Sequence, residues 1–169
     1  MGIFSGANAI KPASTNNKER EDFPFFKPGQ RHLRIRRALL RKSTNESSRN
    51  FKQWMIIVEF DVVAHISGDE QASGKVIEVL QRDPDGDLTK AGGHAMGRIQ
   101  SLIAAACGMD TVGEDALAAI FPVPEEGKFG EAEALAGLEV VGVTTAFEMK
   151  TGGTFAPTVY QAIGDDVPF

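Results

Sequence analysis

The residues of this chain best suited to binding chemistry are a dense run of cations and the aromatic rings beside them. Between Lys27 and Lys52 nine basic residues, Lys27, Arg31, Arg34, Arg36, Arg37, Arg41, Lys42, Arg49 and Lys52, stand against Glu46 alone. Such a segment creates a local positive potential although the whole chain carries a formal charge of -5, because placement rather than average sets the field at a surface. Phe51 and Trp54 lie beside Arg49 and Lys52, and Phe155 and Tyr160 lie near Lys150. A cationic groove tracks phosphates, and flat rings give unpaired bases something to stack on, each stack contributing about 1–3 kcal/mol. The set Arg34, Arg36, Arg41, Lys42, Arg49, Phe51, Lys52, Trp54, Lys75, Arg82, Lys150, Phe155 and Tyr160 is therefore the expected surface for single-stranded DNA. Within it Phe51 is expected to be exposed and Trp54 to be balanced between core and surface. Tyr160 is expected either as a platform or as a core residue with its hydroxyl at a rim. Outside the set, Phe60 and Phe147 are expected in the core.

Other chemistries find little support. Cys107 is the single cysteine, which excludes an internal disulfide and a cysteine-rich zinc site. His32, His65 and His94 are widely separated and lack metal-ligand spacing. The stretch Gly68 to Val76 resembles a phosphate loop only superficially: five residues separate its glycines and Val76 stands where Ser or Thr is needed. Asp83 to His94 begins like a calcium loop, but Leu88 takes the glycine position and His94 that of the bidentate Glu. No nucleophile–base or paired-carboxylate arrangement stands out, so neither an enzyme nor a cofactor is expected.

The elements that must position these side chains follow from periodicity. Gln30 to Arg41 alternates as a first strand whose phase slips at Ala38-Leu39-Leu40, the sign of a bulge. A polar, basic loop leads to a second strand at Trp54 to Ala64, with Trp54, Ile56, Val58, Phe60 and Val62 on one side. Lys75 to Gln81 is a shorter third strand. Met96, Ile99, Leu102, Ile103 and Ala106 fall at helical spacing from about 93 to Cys107, and Gly108 is a natural stop. A short helix over Glu114 to Ile120 and a turn at Glu131 to Ala136 are expected next. Leu138 to Lys150 and Phe155 to Ile163 then form two strands joined by a glycine-bearing turn.

This order predicts a mainly β protein: a five-stranded OB-like Greek-key barrel with a helix between strands 3 and 4 and flexible terminal arms. Such barrels bind oligonucleotides through strands two and three and the loops after strands one and four. The domain is expected over residues 27–163, with an acidic helical insertion over about 110–137; from Asp110 to Glu139 eight acids stand against Lys128. Residues 1–26 read as a flexible arm, and from residue 23 the rings of Phe23, Phe25 and Phe26 are expected to clasp the domain, since they are costly to leave in water. Residues 164–169 read as an acidic docking tail. No stretch of about 18 apolar residues and no secretory leader is evident, so no membrane partner and a cytoplasmic location are expected.

Three stretches carry a family resemblance: GQRHLRIRRALLRKS with WMIIVEFDVV, KAGGHAMGRIQSLIAAACG with its Gly-Arg pair, and AGLEVVGVTTAFEMKTGGTFAPTVYQAI. Over about Lys27 to Ile163 the chain resembles the small OB-fold single-stranded DNA-binding proteins encoded by many tailed phages, departing from their simplest form at Asp110 to Ala136. The ending GDDVPF is similar to the C-terminal tip of bacterial single-stranded DNA-binding proteins. The resemblance implies largely sequence-independent protection of single-stranded DNA during phage replication or recombination in the host cytoplasm. It also implies docking of replication or recombination proteins on Asp165, Asp166, Val167, Pro168 and Phe169; a homo-oligomer is compatible with it. The alternative reading is a phage virion or assembly protein built on a β-barrel scaffold.

Overall fold

The computed structural model describes residues 23–125 and 127–164. The expectations for the arm before residue 23 and for the tail at Asp165, Asp166, Val167, Pro168 and Phe169 lie outside those residues. The described chain is mainly β, a curled and open antiparallel sheet with two helices. Its strands are β1 (Gly29–Lys42), β2 (Trp54–Gly68), β3 (Ser73–Leu80), β4 (Phe129–Glu131), β5 (Glu139–Thr144), β6 (Phe147–Glu148), β7 (Thr154–Phe155) and β8 (Thr158–Gln161). The helices are α1 (Lys90–Cys107) and α2 (Glu114–Ile120), and a 3-10 turn covers Glu133–Leu135.

Within the main sheet the strands run β3-β2-β1-β5-β8, and β4 joins the same edge of β1 beyond β5. β5 covers Gly29 to Arg34 of β1, whereas β4 covers Leu39 to Arg41. The acidic insertion is thus tied into the sheet, and it sends Phe121, Ala132 and Leu135 into the core. β1 does slip phase, at Arg36 rather than at Ala38 to Leu40. Ile35 pairs with Phe60 and Arg37 with Glu59, leaving Arg36 as the extra residue of a bulge. Leu33 and Ile35 face the core before the slip, and Ala38 and Leu40 after it. Leu39 is also buried, which is why three successive apolar residues look like the slip itself.

α1 closes the concave side of the sheet with Ile99, Leu102 and Ile103 against Ile35, Val58, Phe60 and Val140. It begins three residues earlier than the spacing predicts. Thr89 caps it by accepting a hydrogen bond from the Gly92 N–H at 3.1 Å, satisfying a donor that a helix start otherwise leaves open. Gly92 is needed there because a Cβ would overlap the Gln81 backbone. The helix ends as expected at Gly108, whose φ of 66 is left-handed.

The two closing strands are shorter than predicted. Between β5 and β8 the chain leaves the main sheet at Thr145-Ala146 and returns at Ala156-Pro157, and β6 and β7 pair only with each other. Pro157 lacks the N–H that a continuous ladder needs. At the ribbon tip Gly152 and Gly153 take φ of 83 and 84, a conformation glycine adopts without a Cβ clash. The ribbon carries Phe147 into solvent, 55% exposed, against the expectation of a core position.

Candidate nucleic-acid interface

β3 pairs with a full strand, β2, on one side only. In an antiparallel ladder, successive residues point their N–H and C=O groups alternately toward and away from a neighbour. Lys75 uses its N–H on the Pro24 carbonyl at 2.9 Å, so its groups point away from β2. Phe25 bridges to Lys75 as a short parallel addition. Two residues further on, Ile77 and Val79 face the same open side, and no described strand covers them. Across the opening stand α1 and the turn from the β6–β7 ribbon into β8.

A groove follows this open edge in two joined halves. One, of about 310 Å3, is lined by Phe25, Lys75, Ile77, Phe155 and Pro157 among others. The second, of about 350 Å3, is lined by Arg49, Asn50, Ile77, Val79, Gln81, His94, Arg98 and Phe155 among others. From Lys75 to Gln81 the edge extends about 20 Å at about 3.3 Å per residue. The loop after β1 and the β6–β7 ribbon therefore meet on one groove, with Arg49 from the loop and Phe155 from the ribbon both on its wall.

The remaining expected residues divide. Lys75 sits 5.0 Å from the Phe25 ring centre, a cation beside a ring that is 58% exposed. Lys52 lies over Phe51 at 5.3 Å and Lys42 over Trp54 at 5.7 Å; both rings are half-buried. Arg34 and Arg36 point outward from β1 but are near acids, 3.7 Å from Glu139 and 3.8 Å from Asp61, and neither lines the groove. Arg41 is half-buried. Arg82 is built into its own turn, donating to the Gly86 carbonyl at 2.9 Å. Lys150 is exposed at the ribbon tip. Tyr160 is a core residue, 7% exposed, with its ring 5.9 Å from Phe60 and nearly parallel to it, so it offers no free face to a base.

Asn50, Gln81, His94 and Arg98 are among the groove residues left out of the expected site, as is Phe25, which was read as part of the clasp. Of the first four only Arg98 carried a signal, as the Arg of the Gly-Arg pair. It reaches from α1 to the buried Glu78 of β3 in a two-pronged pair, Nε to Oε2 at 2.7 Å and Nη2 to Oε1 at 2.9 Å. Burial pushes the Glu78 carboxyl above the usual carboxylate range, and the two Arg98 hydrogen bonds pull against it. Burial, with the nearby Glu78, likewise pushes the Tyr160 hydroxyl up. Arg98 is also 5.4 Å from the centre of Phe155, so it anchors the ribbon to the helix rather than offering an unneutralised charge.

Of the three rings expected to clasp the domain, two do so. Phe23 and Phe26 are buried, and Phe25 remains outside. Among the described residues no group of three or more His, Cys, Asp and Glu could hold a metal ion, and no helix is long and apolar enough to cross a membrane. A scan against protein-family models finds no match, and a search of curated proteins finds none either.

Proposed function

We propose that this protein binds single-stranded DNA along the open edge of β3. The observation that carries the proposal is that Arg49 and Phe155, from loops far apart in sequence, line one groove whose other half is flanked by Lys75 and the exposed Phe25. Cations spaced along a groove track phosphates, and half-exposed rings accept unpaired bases in a way that tolerates any sequence. The strand order β3-β2-β1-β5-β8 supports reading the sheet as an OB-like barrel left open between its third and last strands. In this reading Phe25 and Phe155 are stacking platforms, Lys75 contacts phosphates, Arg49 meets the strand in the half of the groove beside α1, and Lys42, Lys52 and Lys150 extend the positive path. The biological setting proposed is phage replication or recombination, with the tail at Asp165–Phe169 as the dock for partner enzymes.

The test is fluorescence anisotropy with labelled oligo(dT) and duplex DNA at two salt concentrations. Wild-type protein binds oligo(dT) more tightly than duplex, and the affinity falls with salt. The double variant Arg49→Ala/Phe155→Ala, folded by circular dichroism, binds at least tenfold more weakly, since a lost stack alone is worth about 1–3 kcal/mol. Undiminished oligo(dT) binding by that variant would falsify the assignment of the groove.

A further inference from the structure

The half of the groove beside α1 differs from the rest in offering backbone as well as side chains. Ile77 and Val79 turn their N–H and C=O groups toward it and have no strand partner among the described residues. These donors and acceptors are fixed in direction by the ladder that β3 makes with β2, from Trp54–Leu80 to Asp61–Ser73. Arg49, which is exposed, lines the same cleft, and Phe155 supplies a ring, 46% exposed. The cleft holds about 350 Å3, at the lower end of the range of about 300–1,000 Å3 for small-molecule sites, which suits one nucleotide better than a chain of side chains.

Resting on the single-strand reading above, we propose that this cleft takes one guanine base of the bound strand and reads its edge. The Phe155 ring supplies the stacking face. Guanine is the base that an Arg reads with two hydrogen bonds, to O6 and N7, and Arg49 is the cation of this cleft not already committed to a carboxylate, since Arg98 is held by Glu78. The N–H donors on the other edge of guanine need acceptors, and the carbonyls of Ile77 and Val79 supply them. A base that meets Arg49 and the two carbonyls leaves none of these three unpaired on closing the cleft, and a base that meets only some pays for the mismatch. Sequence tolerance along the remainder of the groove and selectivity at this position are compatible, because stacking on Phe25 beside Lys75 reads no base edge.

Three short labelled oligomers decide the matter with the full-length protein: all-thymine, the same with one central guanine, and the same with one central adenine. The guanine oligomer is expected to bind about tenfold more tightly than the other two, within the discrimination of one good two-pronged contact. Arg49→Lys keeps the charge but loses the planar fork, so it is expected to bring the ratio of guanine to all-thymine affinity, measured within the variant, from about ten down to about one, whatever the change in its all-thymine affinity. Equal affinities for the three oligomers, or a preference that survives Arg49→Lys, overturn the base-reading cleft and leave general strand binding intact. Failure of the all-thymine oligomer to bind at low salt instead removes the single-strand reading, and this inference with it.

Discussion

At the residue scale the most consequential contact is the buried pair of Glu78 and Arg98, because it joins β3 to α1 directly behind the groove. Removing one partner of such a pair leaves a charge in a poor solvent, which costs about 3–5 kcal/mol. Arg98→Met is expected to lose about that much stability at neutral pH and to recover part of it in acid, where Glu78 takes up a proton; urea unfolding at both pH values measures the difference. In the wild-type protein the Glu78 carboxyl is raised, so the folded chain holds its proton more tightly than the unfolded one. Its contribution to stability is therefore greatest below the unfolded carboxylate range, about 4.3, and is lost as pH rises through the raised value. Glu78→Gln is expected to lack that component, which thermal unfolding of both proteins from acid to neutral pH reveals as a difference in slope. Lys52 offers a cleaner probe of binding. It is the one non-glycine among the described residues with a left-handed φ, 67, and a side chain there is strained by about 1 kcal/mol. Lys52→Gly is expected to match or exceed wild-type thermal stability while weakening oligo(dT) binding and reducing its salt dependence, which separates charge from fold.

At the scale of elements the clasp and the ribbon act as opposite kinds of attachment. Phe26 lies on Phe60 at 5.7 Å between ring centres and covers Gly74 of β3 so closely that a Cβ on that glycine would overlap its ring. Gly74→Val is accordingly expected to displace the Phe23–Phe26 segment and to cost several kcal/mol, within the range of about 3–5 kcal/mol for losing a buried Phe. Phe26→Ala should cost a similar amount by urea unfolding, and the double variant should cost much less than the sum, because both changes remove one contact. The β6–β7 ribbon, by contrast, buries little: Phe147 and Phe155 pair across it and both remain about half exposed. Phe147→Ser is thus expected to leave stability nearly unchanged, which thermal unfolding checks, although the sequence placed that ring in the core.

At the scale of the molecule, a protein of net charge -5 concentrates cations along β1 and the β1–β2 loop, with Lys75 on the β3 edge, and acids around α2 and β4. Affinity for oligo(dT) is expected to fall linearly on a log–log salt plot, with a slope of about −0.7 for each phosphate neutralised. Much of this architecture was legible beforehand. Period-two alternation marked β1 and β2 and spacing of 3.6 marked α1, because a strand or helix must turn its apolar side to a core wherever that core lies; β3 and α2 formed close to the stretches expected for them, Lys75 to Gln81 and about Glu114 to Ile120. Cation density and neighbouring rings were legible for the same reason, being properties of short stretches of chain. Three matters depended on contacts between distant residues and could not be read locally. Tyr160 is buried and Phe147 exposed because burial of a ring depends on which element crosses it: α1 and Phe60 cover the first, while the second leaves the main sheet with the ribbon. Arg98 found its role only through Glu78 on another element. Whether β3 would be sealed by β8 or left as an edge was decided by the departure of the chain at Thr145 and its return at Pro157, and that opening brings Arg49, Phe155 and Lys75 to a common groove.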